Sequence, residues 1–212
     1  MHLDRHALRF VTSLNSAESQ LSDFLSTRSG GGFVKYEVHQ LEGWLSELWQ
    51  IWCRFCRVTV FNSCTGCTTD ARGVIVPTHA NHEVVSYIAW KQKNGIAPPV
   101  LGVNSILRKE PTWGHVDKLL EVIQALSPAN SSVLLSGFGT VPRIDEIRVI
   151  RNAAAHRNQQ TQSEVLALGS SYAAHHIHHP VEALLWIDSS SGRTLVQERI
   201  NDMRIASRNV CA

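Results

Sequence analysis

The sequence predicts an all-α fold, a helical bundle of five to seven helices with one irregular insertion near residues 63–82. Apolar residues recur every three or four positions along most of the chain, which is the period of an amphipathic helix. Clusters of Gly, Pro and Ser separate these segments. The composition is 43% hydrophobic and 18% charged over 212 residues, which is typical of a folded chain with one sizeable core. We therefore expect a single domain over residues 1–212.

The first half of the chain contains the strongest helical pattern. A first helix is expected over residues 3–27, where the stretch STRSGGG ends it. The pattern over residues 34–62 predicts the central core helix. Its apolar positions are Val38, Leu41, Trp44, Leu45, Leu48, Trp49, Trp52 and Phe55. Residues 63–82 are rich in Gly, Pro, Thr and Asn, and they predict a loop with a short strand at GVIVP.

The second half predicts shorter helices. They are expected over residues 83–93, 112–126, 162–176 and 193–207, and in a further helix that begins near Pro142. The stretch SGFGTVP before Pro142 is expected to be a loop, and residues 181–187 fit either a strand or a helix. We take residues 34–160 as the core of the domain and residues 161–212 as a C-terminal extension.

The charge balance limits any nucleic-acid contact to a local patch. The chain has 20 basic and 18 acidic residues, a formal charge of +2, whereas an extended nucleic-acid footprint shows as a strong basic excess. No secretory signal and no membrane-spanning run are recognisable. Five cysteines, an odd number, then favour reduced thiols and a cytoplasmic location.

An arginine is followed by a histidine, after four to six intervening residues, at three places in the sequence. Chance alone gives about two Arg–His pairs of this spacing in such a chain, and three occur: Arg72/His79, Arg108/His115 and Arg151/His156. Gly or Pro interrupts the first two. Only the third, in PRIDEIRVIRNAAAH, lies on a continuous helical pattern. Its three alanines favour a helix and leave a low surface that another helix or a substrate can approach.

The spacing of Arg151 and His156 favours a shared site. Five residues on an ideal helix place two side chains about 140° apart and about 7.5 Å along the axis. The pair can converge on one phosphate only if the helix bends near His156 or if two copies meet across a two-fold axis. A chemical role for the pair therefore predicts dimerisation through the motif helix. Otherwise Arg151 and Asn152 are solvated, and His156 interacts favourably with the C-terminal end of the helix dipole.

The hexapeptide RNAAAH, on a late helix of a small helical protein, resembles the Arg-x4–6-His signature of the HEPN superfamily in its form with Asn after the Arg. The stretches LWQIWCRFCRVTVFNSCTG and PTWGHVDKLLEVI resemble the earlier helices of bacterial HEPN proteins. The resemblance covers residues 34–160 and implies a dimeric, metal-independent endoribonuclease without cofactors, active in toxin–antitoxin, phage-defence or CRISPR-associated systems. It implies that Arg151 and His156 are catalytic and that Asn152 supports them. The implied partners are RNA, a second copy, and a cognate antitoxin or second defence protein.

These residue types suit RNA cleavage by the 2′-OH of the substrate. Histidine can accept or donate a proton near neutral pH, and arginine presents a permanently charged fork of donors to phosphate. Arg143, Arg148 and Arg157 flank the motif, and we expect them to bind the RNA backbone. No Gly-rich phosphate loop of the Walker type occurs, so an intrinsic ATPase is not expected.

Two further groups could bind a metal. Cys53, Cys56, Cys64 and Cys67 have the outline of a four-thiolate structural zinc site, although two of them fall within the predicted core helix, where cysteine is commonly a small apolar residue. His175 and His179 in HHIHH could share a helix face, but a role on the surface or in substrate contact is favoured.

Three functions therefore remain: a ribonuclease, a non-catalytic HEPN-type partner of a nucleotidyltransferase or other defence protein, and a zinc-stabilised adaptor.

Overall fold

A computed structural model describes residues 1–28, 30–94 and 110–211. Helices dominate it, so the predicted all-α class is confirmed. The described residues contain eight α-helices: α1 (Leu3–Ser26), α2 (Lys35–Thr65), α3 (His82–Asn94), α4 (Val116–Leu126), α5 (Ser131–Gly139), α6 (Asp145–His156), α7 (Gln159–Leu168) and α8 (Leu195–Cys211). That is one more than the upper end of the predicted range. Within this part of the chain, no helix has the length and apolar character needed to cross a membrane.

Short strands and 3₁₀ turns complete the fold. Strands β1 (Cys67–Thr69) and β2 (Gly73–Ile75) form an antiparallel hairpin, and β3 (Tyr172–Ala173) pairs with β4 (Ile187–Asp188), also antiparallel. The 3₁₀ turns span Pro142–Ile144, Gly169–Ser171 and Pro180–Leu185. The predicted insertion is thus the β1–β2 hairpin with its flanking turns, and the strand expected at GVIVP is present as β2.

The chain divides into two compact units. The first unit comprises Met1–Val11, Trp52–Pro142 and Ile205–Ala212; the second comprises Thr12–Ile51 and Arg143–Arg204. In the first unit, buried aromatic rings form the centre. Phe10 stacks on Phe55 at 4.1 Å, Phe138 packs edge-on against Trp52, and the Trp52 indole donates to the Gly114 carbonyl at 3.0 Å. Aromatic contacts and a satisfied indole therefore stabilise this core.

The predicted loop SGFGTVP was wrong, because most of it is the end of α5. Two glycines lower the helix propensity of this segment, but packing determines its structure. Phe138 is fully buried, and a β-carbon on Gly137 would lie 2.6 Å from the Val210 Cγ1 and 3.0 Å from the Val210 backbone nitrogen. Gly137 thus allows α5 to approach α8 closely within the first unit.

The helix predicted over residues 162–176 ends earlier than expected, at Leu168. The chain then forms a 3₁₀ turn and strand β3. The indole of Trp186 lies over Gly169, where a β-carbon would be 3.1 Å from the Ala174 Cβ and 3.6 Å from the ring. Trp186, Leu184 and Val165 are all almost completely buried. Residues from the C-terminal extension therefore form part of the core.

Candidate functional site

The motif helix α6 lies in the second unit and has one apolar face. Ile147, Ile150 and Ala153 are fully buried, and α6 packs against α7 and against the turn Pro180–Leu185. Asp145 and Glu146 occupy its first turn, where the helix dipole favours negative charge. The predicted helix start at Pro142 was three residues early, because Pro142–Ile144 forms a 3₁₀ turn.

A buried network anchors the N-terminal end of α6. The Glu146 carboxylate accepts from Arg199 Nη1 at 3.1 Å, from Arg143 Nε at 3.0 Å and from the Tyr172 hydroxyl. The Arg199 side chain is only 3% exposed and also pairs with Asp202 at 3.2 Å. Burial raises the pKa of the Tyr172 hydroxyl, and its bond to Glu146 raises it further. These paired charges hold the start of the motif helix in a fixed place.

Arg151 faces an open pocket near the other end of α6. The pocket has a volume of about 390 Å³ and is lined by Glu42, Leu45, Ser46, Arg151, Ala154, Ala155 and Arg157. The Arg151 Nε atom is buried, and among the described residues it has no hydrogen-bond acceptor. The small side chains of Ala154 and Ala155 leave the pocket open. Arg151 is therefore an unneutralised cation at a concave surface, a common feature of anion-binding sites.

His156 is the last residue of α6. It is exposed and does not line this pocket, while Asn152 is half-buried. Within the described part of the chain, neither side chain has a hydrogen-bond or ion-pair partner. The helix is unbroken from Asp145 to His156, and within this copy His156 does not join Arg151 at the pocket. One copy of the chain thus supplies the arginine to the pocket without the histidine.

The three flanking arginines are each paired with a carboxylate. Arg143 binds Glu146, the Tyr172 hydroxyl at 2.7 Å and Asp188 at 3.5 Å. Arg148 donates to both carboxylate oxygens of Asp145, which lies on the same helix, at 2.8 and 2.5 Å. Arg157 binds Glu42 at 2.9 Å. Of the three, only Arg157 lines the pocket next to Arg151.

Arg157 ends α6 in a left-handed backbone conformation, with φ 38° and ψ 45°. This conformation costs a residue other than glycine about 1 kcal/mol or more, and glycine usually occupies the position after a helix. The Arg157 amide donates to the Ala153 carbonyl at 3.0 Å, and its Nε donates to the Ala154 carbonyl at 3.3 Å. The guanidinium is thereby held over the last turn of the motif helix.

Glu42 belongs to the site, although sequence reasoning did not identify it. It lies on α2, 115 residues before Arg157, and among the polar residues on the outer side of that helix nothing in its local pattern distinguishes it. Its Oε1 atom lies 3.3 Å from His179 Nε2, and its Oε2 atom lies 3.0 Å from His39 Nδ1. Burial tends to raise the pKa of Glu42, but hydrogen bonds from His39 and Arg157 outweigh it, so its pKa is lowered. Glu42 is therefore an ionised carboxylate at the rim of the pocket.

The histidine cluster lies partly beside this rim. His175, His176 and His178 are exposed, in a segment that is not helical, so His175 and His179 do not share a helix face. The His179 Nδ1 atom accepts from the Val181 amide at 3.4 Å, which leaves the ring proton on Nε2, facing Glu42. Burial and the positive charge of Arg157 lower the pKa of His179. His179 is therefore neutral near pH 7, and its ring caps the 3₁₀ turn Pro180–Leu185.

The cysteines do not form a zinc site in this structure. Among the described residues, the ligand-type side chains that come together in a group of three or more are His2, Asp4 and Asp70. Cys56, Cys64 and Cys67 are buried, Cys53 is half-buried, and all four have reduced thiol groups. Burial raises the pKa of Cys56 and of Cys64, the latter to about 12. These two behave as small apolar core residues.

Of the other two Arg–His pairs, Arg72/His79 is not held by a helix. Arg72 and His79 flank strand β2, and Arg108 lies outside the described residues.

Comparison of the chain with known protein families, with curated proteins and with solved structures found no match. The functional argument therefore depends on the geometry of the site.

Proposed function

We propose that the protein is a metal-independent endoribonuclease of the HEPN type whose active site is shared between the two copies of a homodimer. The main support is the placement of the motif on α6. Arg151 lines a pocket and has a buried Nε atom with no partner in the described part of the chain, whereas His156 is exposed outside that pocket. A second copy that presents its own α6 would add the missing imidazole, and the low surface of Ala154 and Ala155 leaves room for it.

The proposed chemistry needs only these side chains. One His156 accepts the proton of the 2′-OH, whose oxygen attacks phosphorus while the bond from phosphorus to the 5′-oxygen breaks. The other His156 donates a proton to the leaving 5′-oxygen. Arg151 neutralises the charge that develops on the phosphate oxygens, and Asn152 supports the pair. The products are a 2′,3′-cyclic phosphate and a 5′-OH.

The biological setting we propose is a toxin–antitoxin or phage-defence system in the cytoplasm. An enzyme that cuts cellular RNA without a cofactor needs an inhibitor, which would be the cognate antitoxin or a second defence protein. Of the flanking arginines, Arg157 lines the pocket with Arg151, which supports a role for it in binding RNA. Arg143 and Arg148 would need to exchange their present carboxylate partners for phosphate in order to contribute.

Cleavage of total RNA in excess EDTA tests the proposal. We expect the wild type to cut and His156→Ala to lose at least about a hundredfold in rate, the lower end of the usual contribution of general acid–base catalysis. His82→Ala, which removes an exposed histidine at the start of α3, outside α6 and the pocket lining, is the matched control and should cut normally. Mapping of the RNA ends should find cyclic phosphates. Cutting by His156→Ala at the wild-type rate would contradict the proposal.

An inactive wild type would favour a different function. If the purified protein neither cuts RNA nor slows the growth of its host, the remaining reading is a non-catalytic HEPN-type partner. Such a protein would bind a nucleotidyltransferase or another defence subunit, and the neighbouring gene would identify it.

A further inference from the structure

The pocket beside α6 contains two arginines in different electrostatic states. Arg151 has a buried Nε atom without an acceptor among the described residues. The Arg157 guanidinium is neutralised by Glu42 at 2.9 Å. Both arginines and Glu42 line the same pocket of about 390 Å³. Arg151 thus lines the pocket without an ion-pair partner among the described residues, whereas Arg157 is already paired with a carboxylate of the protein itself.

Arg157 can exchange Glu42 for another anionic partner. The Arg157 side chain is 53% exposed and that of Glu42 is 23% exposed, so water and ligands reach the pair. Carboxylate and phosphate bind a guanidinium through the same fork of N–H donors, and one fork cannot bind both fully. After such an exchange Glu42 would keep its hydrogen bond with His39 at 3.0 Å, and its Oε1 atom would still lie 3.3 Å from His179 Nε2.

The backbone of Arg157 suggests that the guanidinium is there for a ligand. Glycine or asparagine would end α6 at less conformational cost than an arginine at φ 38°. Strained residues of this kind cluster at functional sites. An exposed ion pair contributes little to stability, so the pair with Glu42 does not by itself account for the arginine.

We propose that Glu42 is an exchangeable counter-ion of Arg157, which an RNA phosphodiester must displace when it enters the pocket, and that Glu42 thereby sets the affinity of the site for single-stranded nucleic acid. This inference rests on the proposed function for its ligand class but not on cleavage itself. Arg151 provides the first contact with the strand. A second phosphate then replaces Glu42 on Arg157.

Binding of a single-stranded DNA 12-mer tests the inference, because this strand lacks the 2′-OH and is not cut by the proposed mechanism. Fluorescence anisotropy at low salt gives the affinity. We expect Glu42→Gln to bind about threefold to fivefold more tightly than the wild type, the range of an exposed ion pair. Glu164→Gln is the matched control, because it removes an exposed carboxylate on α7 outside the pocket, and it should change the affinity by less than twofold.

Arg157→Gly removes the guanidinium while suiting the left-handed backbone, so it should fold with an unchanged or higher melting temperature. We expect it to bind the strand about fivefold more weakly and to reduce the salt slope by about 0.7, the loss of one phosphate contact. The double variant should bind like Arg157→Gly alone, because Glu42 acts through Arg157.

Several outcomes would overturn the inference. In the first, Glu42→Gln binds the strand no more tightly than the wild type. In the second, Glu42→Gln raises the affinity equally in the Arg157→Gly background, which would indicate a general effect of charge. Absence of strand binding in the wild type and in Glu42→Gln would overturn it as well. Failure to cleave RNA has a different meaning: a protein that does not cut but shows the expected binding pattern loses the nuclease function and keeps the counter-ion role of Glu42.

Discussion

Asp188 fixes a turn beside the motif helix through bonds to its ionised carboxylate. Its Oδ1 atom accepts from the amides of Ser190 at 2.9 Å and Ser191 at 3.2 Å and from the Ser190 hydroxyl, and Arg143 lies 3.5 Å from Oδ2. The hydrogen bonds from Ser190 lower the pKa of Asp188 to about 2. Because strand β4 ends at this residue and pairs with β3, its charge state affects the local fold.

The low pKa of Asp188 predicts where its contribution to stability is lost. A carboxyl group whose pKa is lower in the folded than in the unfolded protein stabilises above its unfolded value, near 4, and this effect disappears as the pH falls through about 2. Wild type and Asp188→Asn should therefore differ in urea midpoint by a constant amount above about pH 5. The difference should shrink steadily below pH 4. A difference independent of pH down to 2 would mean that the charge of Asp188 is not involved.

Residue chemistry could be predicted from the sequence only in part. Arg151, Asn152 and His156 were identified because they lie together in one hexapeptide. Glu42 was not, because its pairing with Arg157 spans 115 positions and depends on how α2 packs against the end of α6 within the second unit. The left-handed conformation of Arg157 was equally unpredictable, since arginine is not a residue that favours it.

Helix α5 shows how packing can determine an element against its local propensity. The segment contains Gly137 and Gly139, yet it is helical from Ser131 to Gly139. The two glycines occupy different environments: Gly137 is in tight contact with Val210, whereas no atom lies within 4 Å of a β-carbon at Gly139. The pair thus offers a matched comparison within one helix.

Alanine substitutions at these two glycines should have opposite effects. Gly137→Ala should lower the free energy of unfolding by about 1 to 3 kcal/mol, because the added methyl group overpacks the contact with Val210. Gly139→Ala should leave it unchanged or raise it by up to about 1 kcal/mol, because alanine favours a helix. Chemical denaturation of both variants measures the difference. Equal effects at the two positions would show that the close approach is relieved without cost.

Elements with a long apolar repeat were predictable, and elements defined by neighbouring chain segments were not. The helix predicted over residues 34–62 is present as α2. It was predictable because its apolar residues, such as Leu45 and Trp52, determine which face of the helix is buried. The early end of α7 was missed, since it depends on Trp186 packing over Gly169. The N-terminal end of α4 was also misplaced: its N-cap is His115 instead of Thr112.

The chain as a whole has little net charge, which limits how it could bind RNA in the proposed function. A formal charge of +2 provides weak long-range attraction, so affinity must come from a few local contacts and should depend only modestly on salt. A dimer doubles the number of such contacts without changing the chain. The proposed dimer would therefore have a higher affinity for a polyanion than a single copy of this nearly neutral chain.

A mixed dimer tests whether the site is shared between copies. A heterodimer of the wild type and His156→Ala has one histidine, whereas the proposed reaction uses one histidine as the base and a second as the acid. Such heterodimers, purified with two affinity tags, should therefore cut RNA at least about a hundredfold more slowly than the wild-type dimer. Heterodimers that keep about half of the wild-type activity would contradict a shared site, because each copy would then have a site of its own.

The Glu42–Arg157 pair also constrains how the sequence can change during evolution. The left-handed backbone at position 157 accepts glycine or asparagine readily, so folding alone does not preserve the arginine. Loss of Arg157 would remove the charge that Glu42 is proposed to balance, so selection would no longer maintain a carboxylate at position 42. In related chains we expect an acidic residue at position 42 where position 157 is arginine, and no such preference where position 157 is glycine, although 115 residues separate them.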